Sequence, residues 1–68
     1  MKRFKVSNDS FNLSSRAYRL GKRHAEMVLE GHVELADYND YFETIEWQGA
    51  NGSVYTDMKG QVLQVDIW

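Results

Sequence analysis

The chain has no cysteine and no proline, and only five glycines in 68 residues. Without cysteine it forms neither disulfides nor thiolate metal sites. Its two histidines, His24 and His32, are too few to build a zinc site, so neither a metal nor a cofactor is expected. No apolar run approaches the roughly 18 residues of a membrane span. The opening Met-Lys-Arg-Phe-Lys leads into no apolar stretch, so a signal peptide is not expected. There is no Gly-x-Ser-x-Gly and no phosphate-cradling glycine loop. Asp37 with Asp40 or Glu43 can be written as an acid–base pair, but such a pair needs a concave, dry pocket to separate its pKa values. A domain this small offers little room for one, and an enzyme is not expected.

What remains is a folded chain. Hydrophobic residues make up 43% and aromatics 13%, too rich for a disordered tail. No linker, repeat or low-complexity segment divides it, so residues 1–68 read as a single domain. At this size only roughly 60% of the unfolded surface is buried. With no disulfide to help, stability must come from a well-packed aromatic core, from self-association such as a homodimer, or from both.

Charge is divided along the chain. Residues 1–23 carry seven cations against Asp9, a net +6; residues 24–68 carry nine carboxylates against Lys59, a net −8. The formal total is −2. Such asymmetry points to charged macromolecular partners unless folding interleaves the two signs.

The longest periodic segment is 10–29. Leu13, Ala17, Leu20, Gly21, His24, Met27 and Val28 recur at three- and four-residue steps, predicting one apolar helix stripe. Arg16, Arg19 and Arg23 fall on a flank beside it, with Lys22 nearby. Asp9, Ser10 or Asn12 each suits the N-cap, and Gly31 the C′ position. Gly21 weakens the helix by about 1 kcal/mol relative to alanine, which a close approach by another element would explain. The charges oppose the helix dipole, since arginines crowd the first half while Glu26 and Glu30 close the last turns.

Before this helix, Arg3-Phe4-Lys5-Val6 alternates like a short strand. After it, Leu35, Tyr38, Tyr41, Phe42 and Ile45 repeat at helical spacing, which predicts a short helix over 37–42 and then a strand over 44–48. Asn51-Gly52 predicts a tight hairpin because both residues accept positive φ. The returning strand is expected over 53–57. Met58-Lys59-Gly60 suits a three-residue loop with Gly60 left-handed. The last strand is expected over 62–68, with Leu63, Val65 and Ile67 on one side. The expected fold is α+β: one long and one short helix on a small antiparallel sheet, in the order β-α-α-β-β-β, with Tyr55, Gln64 and Asp66 on a partly wet sheet face.

Two charged sets are candidates for binding. Arg16, Arg19, Lys22 and Arg23 could hold phosphates, giving a small nucleic-acid-binding regulator. No nucleic-acid-binding signature supports them, and a pI near 5.5 lies far from the usual basic footprint. The acidic series Glu30, Glu34, Asp37, Asp40, Glu43 and Glu46, interleaved with Tyr38 and Tyr41, is the stronger candidate. Read as helical, its carboxylates stand about 5–6 Å apart. A dense negative surface of that kind fits a cationic groove that otherwise holds nucleic acid. The plain alternative is a solvated helix face. His24 reads as a pH-sensitive group or, more simply, as an interfacial or core histidine with a satisfied hydrogen bond.

A short cysteine- and proline-free chain with the segment Asp37-Tyr38-Asn39-Asp40-Tyr41-Phe42-Glu43 and a hairpin-rich end resembles small phage-encoded inhibitors of host defence, anti-CRISPR proteins among them. The resemblance is one of size and surface character. It implies a stoichiometric inhibitor in a host cytoplasm that blocks a nucleic-acid channel or docking surface on a larger nucleoprotein, and it assigns no residue a role. A self-associating assembly protein is the remaining alternative.

Overall fold

The computed structural model describes residues 2–5 and 15–68. The N-cap candidates Asp9, Ser10 and Asn12 lie outside these residues, as do Val6 and Leu13. The fold is a small α+β domain, one helix on one antiparallel sheet. Its elements are β1 (Lys2–Lys5), α1 (Ser15–Leu29), β2 (Glu34–Asn39), β3 (Thr44–Gln48), β4 (Gly52–Thr56) and β5 (Val62–Ile67). The sheet runs in the order β1-β5-β4-β3-β2, every pairing antiparallel. The last four strands form a meander, and β1 adds to its far side against β5, which leaves β2 at the opposite edge.

The helix lies over β4, the central strand, and reaches β3 and β5. Close approach decides which helix face is buried. Gly21 is seated on the sheet, where a Cβ would lie 3.2 Å from the Trp47 ring and 3.1 Å from Thr56 Oγ1. Gly21, Ala25 and Leu29, one turn apart, form the buried line. This corrects the expected stripe: Leu20, Met27 and Val28 remain exposed, and Met27 is 68% accessible. Gly21 and Ala25 face the sheet where the approach is closest and Leu29 follows them into the core, while Leu20, Met27 and Val28 are left on the flanks.

Beneath it, Ala25, Leu29, Val33, Ile45, Trp47, Val54 and Met58 make the core, with Val62, Val65 and Ile67 packed against it. Trp47 is fully buried, and its indole Nε1–H donates to Thr56 Oγ1 at 2.9 Å, so the core's largest side chain leaves no stranded donor. His24, half-buried on the helix flank, donates through Nδ1–H to the Gly60 carbonyl, the satisfied hydrogen bond its position predicts.

The short helix expected over 37–42 is instead strand β2 and a turn at 40–43, so the order is β-α-β-β-β-β. A β-bulge explains the misreading. Leu35 pairs with Trp47 but Asp37 with Glu46, so Ala36 is an extra residue. Leu35 and Tyr38 thereby fall on the same sheet face although three residues apart, which imitates a helical step. A second bulge opposite Tyr55 and Thr56 does the same in β5: Val62, rather than Leu63, shares the core side with Val65 and Ile67.

Three glycine readings resolve differently. Gly60 has φ +85°, and its missing Cβ admits the backbone of Leu20 and Gly21, as the expected left-handed loop requires. The loop closes through Asp57 N–H to the Gln61 carbonyl at 2.9 Å, while buried Asp57 Oδ1 accepts from the N–H groups of Lys59 and Gln61, each at 2.9 Å. Gly52 does not have positive φ, so the two-residue Asn-Gly turn is not formed. Its need for glycine is steric, because a Cβ there would meet the Asp66 carbonyl oxygen at 2.2 Å. Gly31 is not the left-handed helix terminus either. Glu30 takes that conformation with φ 56°, and Gly31 N–H follows it in a bond to the Glu26 carbonyl at 3.3 Å.

Candidate protein-binding surface

The sheet face away from the helix carries two polar rows set by strand register. One runs Arg3, Asp66, Ser53, Gln48, Glu34; the next runs Gln64, Tyr55, Glu46, Asp37. At the β1 end, Arg3 forks onto Asp66, Nε to Oδ1 at 2.9 Å and Nη2 to Oδ2 at 3.2 Å. Gln64 Nε2 adds a bond to Asp66 at 3.2 Å. Asp66 is almost wholly buried beneath them, and its bond and charge hold the Arg3 guanidinium above its ordinary pKa.

Toward β2 the face turns acidic. Asp37 and Glu46 are register partners, with Glu34 at the start of the same strand. Tyr55 donates to Glu46; burial first, then the negative charge of Glu46 and Asp66, pushes its hydroxyl above the usual tyrosine range. Asp40, Tyr41, Phe42 and Glu43 form the turn that joins β2 to β3. Asn39 Oδ1 accepts from the Phe42 N–H at 2.9 Å and Asp37 Oδ1 from the Tyr38 N–H at 2.9 Å, side-chain bonds that shape this turn. Glu43 closes it in the left-handed region, φ 52°.

Seven of the eight acidic-surface candidates, Glu34, Asp37, Tyr38, Asp40, Tyr41, Glu43 and Glu46, therefore share one hairpin. Their spacing is that of strands and a turn, not of a helix. Glu30 stands apart at the helix C-terminus. Tyr38 lies on the helix side of β2 and its O–H reaches Asp40 Oδ1 at 3.5 Å; desolvation first, then Asp40 and Glu43, raises its pKa. Tyr41 is 88% and Phe42 64% exposed, their rings edge-to-face at 4.9 Å. Phe42 and Leu35, also exposed, were not among the candidates because helical spacing assigns both to a core. Asn39-Asp40 was the available turn signal.

Among the described residues, none of the six carboxylates Glu30, Glu34, Asp37, Asp40, Glu43 and Glu46 pairs with a lysine or arginine. His32 lies between Glu26 at 3.8 Å and Glu34 at 4.0 Å in an exposed loop. On the helix, Arg19 and Arg23 are exposed and Lys22 half-buried, with no carboxylate partner among the described residues. Arg16 belongs to the same helix, one turn before Arg19; its side chain lies outside the described residues. Among the described residues, Arg19, Lys22 and Arg23 on the helix and the hairpin carboxylates form no ion pair with each other.

No protein-family model matches this chain, and neither the curated proteins nor the solved structures yield a match. No helix among the described residues is long and apolar enough to cross a membrane.

Proposed function

We propose that this chain is a small non-catalytic binding protein, an inhibitor that sets its acidic, aromatic β2–β3 hairpin against a cationic surface of a larger protein or nucleoprotein. The observation that carries this reading is the cost of where the acidic residues are placed, in the hairpin and at the helix end. Asp37 and Glu46 face each other across the strands, a like-charge pairing that destabilises by about 0.2–1 kcal/mol. Glu30 and Glu43 hold left-handed conformations that glycine or asparagine fills with less strain. Glu30 also sits at the negative end of the helix dipole. An opposing cationic surface relieves the repulsion between Asp37 and Glu46 and the unfavourable charge of Glu30 at the helix end. Exposed Tyr41 and Phe42 add rigid contact area of the kind that anchors interfaces.

The test is differential capture on immobilised protein from host lysate. The expected result is a basic protein held by the unaltered chain, released by raised salt and displaced by added DNA. It should be lost from the triple variant Asp37→Asn, Asp40→Asn, Glu43→Gln, whose Asp37 replacement keeps the oxygen that accepts from Tyr38. Equal recovery on both would refute the reading. A second reading, nucleic-acid binding through Arg16, Arg19, Lys22 and Arg23, is favoured by the exposure of Arg19 and Arg23. It requires a low-salt gel shift abolished by Arg19→Gln with Arg23→Gln.

A further inference from the structure

Strand β2 has β3 on one side and, among the described residues, nothing paired on its other side. Five of its six residues are exposed. Its two faces differ. Leu35 and Tyr38 register with the core residues Trp47 and Ile45, and they carry that apolar side outward at 45% and 39% exposure. Glu34 and Asp37 lie on the opposite side, with Glu46 behind Asp37 in the next strand. Among the described residues the edge is therefore a strip of unpaired backbone with apolar side chains above it and carboxylates below.

We propose that this edge accepts an extended basic segment of the partner protein as an added strand. The proposal rests on the acidic-hairpin reading and specifies how the partner is held. Main-chain bonds to β2 would supply affinity, and side-chain alternation would supply selectivity. A guest alternating apolar and basic residues sets the first against Leu35 and Tyr38 and the second against Glu34, Asp37 and Glu46. Charge argues against a second copy pairing through the same edge, because a two-fold β2–β2 contact brings Glu34 and Asp37 of both copies together. Many sheet edges are blunted by lysine or by a bulge. This one has a bulge at Ala36 but carboxylates in place of lysine, a combination that repels acidic strands and admits basic ones. The length of β2 confines the guest to a short run, about six residues or roughly 20 Å.

Three blocked, fluorescein-labelled hexapeptides test this on the full chain: alternating arginine and valine, the same residues as an arginine block and a valine block, and the alternating peptide with alternate amides N-methylated. Anisotropy should show the alternating peptide binding at least about tenfold more tightly than the other two. Amide hydrogen exchange should slow over residues 34–39, and Glu34→Gln with Asp37→Asn should weaken binding at low salt. If the three peptides bind equally, or exchange over 34–39 is unchanged, strand addition is overturned while the acidic surface stands. If none binds at low salt, both readings fail. Peptide-free dimers that lose their protection at 34–39 on dilution would give the edge to a second copy and likewise overturn the proposal.

Discussion

Replacing Glu30 by glycine should stabilise this protein. The residue has φ 56° at the helix terminus, in a region that costs an L-residue about 1–2 kcal/mol. Glycine removes that strain but adds about 0.5–1 kcal/mol of unfolded-chain entropy, for a net gain near 0.5–1 kcal/mol. Removing a negative charge from the dipole's negative end adds about 0.3–1 kcal/mol. Glu30→Gly should therefore gain about 1–2 kcal/mol, and Glu43→Gly, with φ 52° but no helix dipole, about 0.5–1 kcal/mol. The two positions share no partner, so their effects should add. At about 4–8 °C per kcal/mol for a domain of this size, the double variant should melt roughly 6–24 °C higher. Urea unfolding followed by fluorescence of buried Trp47 is the assay, with an unchanged slope required. Glu30→Gln separates the terms, since it removes the charge and keeps the strain, and should recover only the dipole share. A Glu30→Gly variant no more stable than the unaltered chain would refute the strain argument. If the double variant gained stability and also held the basic partner as tightly as before, the claim that these glutamates serve binding would fail.

Gly52→Ala should destabilise by about 3 kcal/mol or more, because its Cβ has no room beside the Asp66 carbonyl, whereas Gly31→Ala, with no atom within 4 Å, should stay within about 0.5 kcal/mol; urea midpoints compare them. Thr56→Val should cost about 1–3 kcal/mol by removing the hydroxyl that accepts from the buried Trp47 Nε1–H, with the loss read from thermal melts. Tyr38 and Tyr55 hold their protons more tightly folded than unfolded. Their contribution is thus fully present below the ordinary tyrosine pKa near 10 and is lost as pH rises through the higher folded values. Stability should fall with pH above about 10, and Tyr55→Phe should flatten that fall; a steeper one in the variant would contradict the assignment.

Local chemistry alone determined much of this protein. Strand β3 lies where alternation of Ile45 and Trp47 puts it, Gly60 takes its left-handed place in a three-residue loop, and Gly21 marks a close approach. Each depends on a residue and its immediate neighbours, so each is legible in the chain. The acidic residues were legible as a set for the same reason, since charge needs no fold to be counted.

Tertiary structure decided the rest. Two bulges shift side-chain periodicity from two residues to three, so Leu35 and Tyr38 read as helix until β3 supplies their pairing partners. Gly52 looks like a turn residue until Asp66 arrives from 14 positions along the chain. Which helix stripe is buried depends on where Trp47 and Thr56 stand beneath it. Sequence determined which groups are present and their local backbone preferences; pairing across the sheet decided which of them meet, because register is a property of two strands and is written in neither alone.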